Sequence, residues 1–339
     1  MLIKKLTELN GLPSWEDDVR AAIKKEIEGH VDKIHTDRLG NLIAVKNEKA
    51  KGTHFGLSAH MDEAGMVVKR IEKSGLIKFD TWGVLPSVLL SKTVKIGKEG
   101  VPGVIGAKPI HLQKPEERET VMPLESIFID IGATSKEDAE KHVEIGDYIA
   151  FDSKYRELGK HKIKAKALDD RLGCAAIIEV LKSDIKKKIT AVFCVQEEVG
   201  LRGSTTAANQ VFADLFINLE GTICADGEDI DEHMRVTEHG LGPAISIKDR
   251  TSIYLRKYYD KMLRIAEANN IPVQFRRSGA GGTDAFNYHT AHGGTPVIGL
   301  AVPCRYIHTP VSMCDKRDYS NMVALVKAFI TQYEGKGKK

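Results

Sequence analysis

The spacing of apolar positions changes along the chain, and those changes mark its architecture. Val19, Ile23 and Ile27 recur at helical spacing before a stop at Gly29, and Ser14-Trp15-Glu16-Asp17 has the form of a capping box that opens this helix. Residues 33–37 and 42–45 read as strands flanking the turn Leu39-Gly40-Asn41, and residues 53–59 as a strand running into His60-Met61-Asp62-Glu63. From about residue 67 to 162 the texture becomes short alternating runs at 67–71, 92–96, 127–131 and 147–151. Turns such as Lys73-Ser74-Gly75 and Lys98-Glu99-Gly100 separate them, which predicts a small all-β barrel; the charged span 111–120 reads as a mobile loop.

Helix and strand alternate again from residue 164. Asp169-Asp170-Arg171-Leu172-Gly173 opens a helix through Ala175, Ile178 and Leu181, and the apolar run 189–194 reads as a buried strand. Strands at 215–219 and 297–301, a helix over roughly 251–268 and a final helix over about 318–332 complete the pattern. It predicts a discontinuous α/β domain, residues 1–66 and 163–339, with a β-barrel domain, residues 67–162, inserted into it.

Composition narrows the classes. At 339 residues the chain is long for one core, and 42% hydrophobic with 29% charged residues describes an ordinary globular protein. A net charge of +3 gives no reason to expect nucleic acid or an anionic membrane as partner, and the lysine-rich end 335–339 reads as a frayed tail. No secretory signal opens the chain, and no apolar run approaches the ~20 residues that span a bilayer. The five cysteines are scattered and form no CxxC pair, which points to reduced thiols, a cytoplasmic protein and no thiolate zinc site.

The candidate chemistry sits where strands end. Val195-Gln196-Glu197-Glu198-Val199-Gly200 follows the buried strand, at the position where open α/β sheets bind ligands. Adjacent strand residues point to opposite faces, so a local twist is needed for Glu197 and Glu198 to serve one site. One carboxylate can then hold a metal while its neighbour handles protons. His60, Asp169, Glu198, Glu220 and His308 all stand just after apolar strands or at a helix start. Each alone has an ordinary explanation, helix capping in the case of Asp169-Asp170; their coincidence favours a metal centre. Asp62, two residues past His60, is placed to fix the imidazole tautomer. Three carboxylates and two neutral imidazoles form a mixed N/O set that suits zinc or cobalt rather than calcium.

His60-Met61-Asp62-Glu63, Ala167-Leu168-Asp169-Asp170-Arg171-Leu172-Gly173, Gln196-Glu197-Glu198-Val199-Gly200, Gly281-Gly282-Thr283-Asp284 and Arg305-Tyr306-Ile307-His308 together resemble the tetrahedral (TET) aminopeptidases. These are family forty-two of the metallopeptidases, which includes glutamyl, leucyl and lysyl aminopeptidases and some members labelled cellulase M. The resemblance spans essentially the whole chain. It implies a zinc-peptidase-like α/β/α sandwich with an inserted barrel, and two zinc or cobalt ions per chain. By motif, His60 would bind one ion and His308 the other, and Asp169 would bridge them across a cis peptide to Asp170. Glu198 and Glu220 would complete the two shells, with Asp62 orienting His60 and Glu197 as general base. The family more often has Asp where this chain has Glu220, and the longer arm bears on that site's affinity and metal preference. It further implies short peptide substrates, cleaved from the amino end because the free α-amine binds one ion. The barrel would be a dimerisation domain, with dimers assembling into hollow dodecamers.

Two other classes stand against this reading. A glycoside hydrolase needs carboxylates facing each other across a bond, ~5–9.5 Å apart, whereas Glu197 and Glu198 are neighbours, and only Trp15 and Trp82 offer indole platforms. An inactive assembly scaffold would not need an intact ligand set. The residues 279–284 serve equally as a substrate-lining loop or a tight turn. Arg276, Arg277 and Lys248 select an acidic side chain or are simply solvated, so the preferred N-terminal residue stays open.

Overall fold

The computed structural model describes residues 2–277 and 281–334. Part of the glycine-rich loop, residues 278–280, and the lysine-rich end 335–339 lie outside the described residues. Helices α1 (Leu2–Thr7) and α2 (Asp17–Ile27) lead into strands β1 (Lys33–Thr36), β2 (Leu42–Lys46) and β3 (Phe55–His60). Ser14 does not cap α2: it has a φ of 74° and its N–H donates to Glu16 Oε1. The buried Glu16 carboxylate also accepts the N–H of Gln196, so this stretch supports the loop after a distant strand rather than its own helix.

Next come β4 (Gly65–Ile71), β5 (Ile77–Trp82), β6 (Thr93–Ile96), β7 (Val101–Ala107), the short helices α3 (Pro115–Arg118) and α4 (Lys136–Ala139), β8 (Ile127–Asp130) and β9 (Tyr148–Phe151). These strands close into an antiparallel barrel in the order β4-β5-β8-β7-β6-β9 around a core that includes Met66, Phe79, Ile105 and Ile129. The span 111–120, expected to be a loop, carries the helical turn α3. The Glu117 carboxylate holds that turn by accepting the Lys114 N–H at 2.6 Å and the Lys108 ammonium at 2.9 Å. This compact unit comprises Ala64–Lys154 and His308–Val311.

The larger unit adds β10 (Arg156–Leu158), β11 (Lys162–Ala165), α5 (Leu168–Leu181), β12 (Ile189–Cys194), α6 (Arg202–Ala207) and β13 (Leu215–Ile223). After these come β14 (Ala244–Ser246), α7 (Arg256–Ala268), β15 (Gln274–Arg276), α8 (Ala285–Thr290), β16 (Val297–Arg305), β17 (Ser312–Asp315) and α9 (Lys316–Gln332). Strand β10 pairs with β11 in the large sheet, so residues 155–162 belong to this unit and not to the insertion the sequence pattern suggested. Helix α7 starts later than expected because Asp249 Oδ1 accepts the N–H groups of Thr251 and Ser252 and turns the chain there.

The large sheet runs β1-β2-β12-β3-β13-β16-β17-β11-β10, and its middle pairs β12–β3, β3–β13 and β13–β16 are all parallel. Four neighbouring strands therefore end on one edge, where parallel sheets place their ligand sites. Strand alternation splits the core. Ala191, Phe193 and Val195 join the cluster that includes residues of α2, α5 and α9, whereas Val192 and Cys194 join residues of α6 and α8. The result is an α/β/α sandwich with a closed barrel as its second unit.

Just below the sheet edge lies a buried ion network. Glu63 accepts from Lys166 Nζ at 2.6 and 2.8 Å, from Arg171 Nη2 at 3.4 Å and from the Gly11 N–H at 3.1 Å, and none of the three charged side chains is more than 3% exposed. Removing one partner strands a buried charge, so Lys166→Met is expected to destabilise the protein by about 3–5 kcal/mol. Urea unfolding at neutral pH measures this, and Glu63→Gln combined with Lys166→Met is expected to recover part of the loss.

Candidate metal centre

His60 is the last residue of β3 and is 1% exposed. Its Nε2 faces carboxylates, with Asp169 Oδ1 at 3.4 Å and Glu220 Oε2 at 3.6 Å. Its Nδ1 lies 3.1 Å from the Asp62 carbonyl oxygen, the partner that suits an Nδ1–H tautomer and leaves Nε2 free to ligate. The Asp62 carboxylate stands farther off, at 3.5 Å. It accepts instead the N–H of Glu197 at Oδ1 and of Glu198 at Oδ2, both at 3.0 Å. The Asp62 side chain, expected to orient His60, stands beside its Nδ1 and also holds the Glu197-Glu198 turn, while the Asp62 carbonyl lies closer to the ring.

That turn supplies the twist that adjacent carboxylates require. Gln196 adopts a φ of 55° and Gly200 one of 113°. The N–H groups of Val195 and Gln196 donate to Asn41 Oδ1 and Glu16 Oε1 at 3.0 and 3.1 Å. Each of the four residues from Val195 to Glu198 thus has its amide held by a side chain from another segment. Burial, with Asp62 nearby, pushes the Glu16 carboxyl up to about 7.

Asp169 and Asp170 open α5 with non-helical dihedrals across a cis peptide, and regular helix begins after them. The resemblance gives the ligand role to Asp169, and the structure shows what Asp170 touches. Asp170 is fully buried, accepting from Gly173 N at 2.8 Å and His60 N at 3.2 Å. A Cβ at Gly173 would sit 2.4 Å from Asp170 Oδ2, so only glycine leaves room for that carboxylate. Glu220, on β13, is 7% exposed and accepts from Asn218 Nδ2 at 2.8 Å; Asn218 is in turn bonded to Ser58 on the paired strand.

Two groups of donor atoms emerge. In one, His60, Asp170 and Glu220 present one ligand atom each, all within 4.8 Å of one another; in the other, Asp169 and Glu198 present donor atoms within 4.8 Å of each other. Through Oδ1, Asp169 also reaches His60, so it faces both groups. His308 lies in the six-residue loop 306–311 between β16 and β17, and clusters by contacts with the smaller unit. Asp284, the N-cap of α8, is a further buried carboxylate that the sequence placed in a motif without giving it a task.

The charge balance of this pocket calls for cations. Burial, reinforced by neighbouring carboxylates, pushes the carboxyls of Glu197, Glu220 and Asp170 well above their usual range and Asp284 up to about 6. Burial opposes protonation of His60, yet Asp169, Asp62 and Glu197 outweigh it and hold the imidazole well above its usual range. Carboxylates gathered this closely do not all ionise by themselves. Divalent ions held by imidazole nitrogen and carboxylate oxygen would offset them, and a mixed N/O donor set fits zinc-like metals.

Comparisons with known proteins show the family of this chain. A putative aminopeptidase of Acetivibrio thermocellus is 38% identical over 96% of each chain. The TET1 peptidase of Pyrococcus horikoshii, described as assembling into a tetrahedron or a large octahedral shell, is 31% identical over 98% of each chain with a TM-score of 0.86. An endoglucanase of Thermotoga maritima is 35% identical, with 98% of this chain and 97% of that one covered and a TM-score of 0.81. The family described as M42 glutamyl aminopeptidase matches residues 40–325. The chain is a peptide hydrolase and belongs to the M42 glutamyl aminopeptidase family.

Proposed function

We propose that this protein removes the N-terminal residue from short peptides at a centre of two divalent ions, zinc or cobalt. His60 and Glu220, with Asp170 beside them, would hold one ion, Glu198 and His308 the other, and Asp169 would span the two. The observation that supports this most is the double facing of Asp169, 3.4 Å from His60 Nε2 through Oδ1 and grouped with Glu198. Asp170 already spends both oxygens on backbone N–H groups, which favours Asp169 as the bridging carboxylate.

When bound, such ions lower the pKa of a shared water and polarise the scissile carbonyl. The protein's own part is proton handling and orientation. Glu197, its amide fixed by Asp62, would take the proton from the attacking water and pass it to the leaving amine. Burial and neighbouring carboxylates raise its proton affinity, which suits a group that must hold a proton between the two steps. Asp62 would keep Glu197 and Glu198 turned towards the site. The free α-amine of the substrate would add a further metal ligand, restricting cleavage to the first residue.

Self-association is part of this reading. Leu85, Leu90, Val104, Ile110, Leu112 and Val121 are exposed on the barrel unit, more apolar surface than an isolated unit favours. Dimers built through that unit, assembled further into a dodecamer, would enclose the sites and admit only short unfolded chains. Five buried free thiols support a cytoplasmic location, and no helix among the described residues is long and apolar enough to cross a membrane.

A panel of aminoacyl-anilides, assayed after chelation and re-addition of defined metals, tests the activity; soluble glucan in the same panel tests the endoglucanase alternative. Activity is expected to vanish on chelation and return with zinc or cobalt, and chelator-insensitive release of reducing sugar would overturn the reading. Glu197→Gln is expected to lower kcat by roughly 10²–10⁴-fold with metal content unchanged; near-normal turnover would remove Glu197 as base. Asp169→Asn is expected to weaken both ions, whereas Glu198→Gln weakens one, as metal analysis and calorimetric titration will report.

A further inference from the structure

A second cluster of metal-ligating side chains lies past the end of β13. Cys224, Asp226 and His239 each present one donor atom, all within 4.8 Å of one another. Cys224 directly follows β13, and its N–H donates to the Cys304 carbonyl at 3.0 Å. His239 returns from the far end of the same connection, and its N–H donates to Asp226 Oδ2 at 3.1 Å. The three side chains thus come from the two ends of the segment 224–239.

Asp226 has an evident partner, since Arg305 donates to it through Nε at 2.5 Å and Nη2 at 2.8 Å. Against the pull of burial, Arg305 and the His239 N–H hold its carboxyl well below the usual range. That pairing leaves His239 unexplained. Both of its ring nitrogens are buried, and neither meets a hydrogen-bond partner among the described residues. A neutral imidazole carries one N–H and one acceptor nitrogen, and buried polar atoms left unmatched call for a water or an ion. Burial, with Lys162 and Arg305 nearby, pushes this imidazole down to about 4.

We propose that Cys224, Asp226 and His239 bind a zinc ion that clips the two ends of the 224–239 connection together, separately from the carboxylate-rich centre at His60. One sulfur, one oxygen and one nitrogen ligand make a set that suits zinc and leaves a fourth position for water. Thiolate and carboxylate supply two negative charges, one of them shared with Arg305. The Asp226 oxygens keep lone pairs beyond those used by Arg305. Binding replaces the Cys224 S–H bond by an S–Zn bond and releases that proton to solvent.

Cobalt(II) tests this, because the His60 centre offers only nitrogen and oxygen ligands while this one adds a thiolate. Full-length protein is stripped by chelation under reducing, oxygen-free conditions and titrated with cobalt(II), then with zinc(II). The expected result is a near-ultraviolet sulfur-to-cobalt charge-transfer band that zinc bleaches. Cys224→Ser and His239→Gln, made separately so that one folding failure does not decide the matter, are each expected to abolish the band and bind one ion fewer than the parent. A parent protein with no such band at saturating cobalt, or a band that survives either substitution, overturns the proposal.

Discussion

Too much like charge in one dry place is the constraint on which this molecule turns. Asp62, Asp169, Asp170, Glu197, Glu220 and Asp284 crowd one imidazole at the end of a parallel sheet, and most are screened from solvent. Buried carboxylates repel one another and lose hydration, so the arrangement persists only where hydrogen bonds, protons or cations offset each charge. Part of the offset is visible in backbone amides aimed at Asp62 and Asp170. What amides do not neutralise is the charge that divalent ions would meet.

Around that centre the chain commits further buried polar groups to holding geometry. The Glu63, Lys166 and Arg171 network joins the segment after His60 to both flanks of the Asp169-Asp170 pair, since Lys166 precedes the pair and Arg171 follows it. Asn41 and Glu16 hold the amides of Val195 and Gln196, while Asp62 holds those of Glu197 and Glu198. Ligand positions are thus set by side chains distant in sequence, which is how a metal site keeps its shape before any ion arrives. The same principle separates Asp169 from its neighbour: the Asp170 carboxylate accepts two backbone N–H groups, and Asp169 Oδ1 lies 3.4 Å from His60 Nε2.

Much of this was legible from the residue pattern, for identifiable reasons. Period-two runs bounded by glycine turns predicted the barrel, because an antiparallel strand with one wet face must alternate. Mainly apolar runs at 189–194 and 215–219 predicted buried strands, and acidic residues shortly after them marked the edge where parallel strands end. Cap and boundary readings fared worse where a side chain had a distant partner. Ser14 lost the capping role because Glu16 reaches both it and Gln196, and α7 starts late because Asp249 captures two amides.

The sequence by itself determined which residue types stand at strand ends and how the apolar faces alternate, since both depend on local periodicity. The resemblance divided the adjacent carboxylates by role, but what each side chain touches was decided only by the tertiary structure. It sent Asp170 into the backbone and left Asp169 facing the ligand groups, turned Asp62 onto the Glu197-Glu198 amides, and brought Asp284 into the pocket. It also joined Cys224, Asp226 and His239, whose spacing matches no metal motif. The physical reason is common to all of them: a side chain's direction and its state of charge are set by partners that folding delivers from far along the chain, and no local pattern records where those partners will arrive.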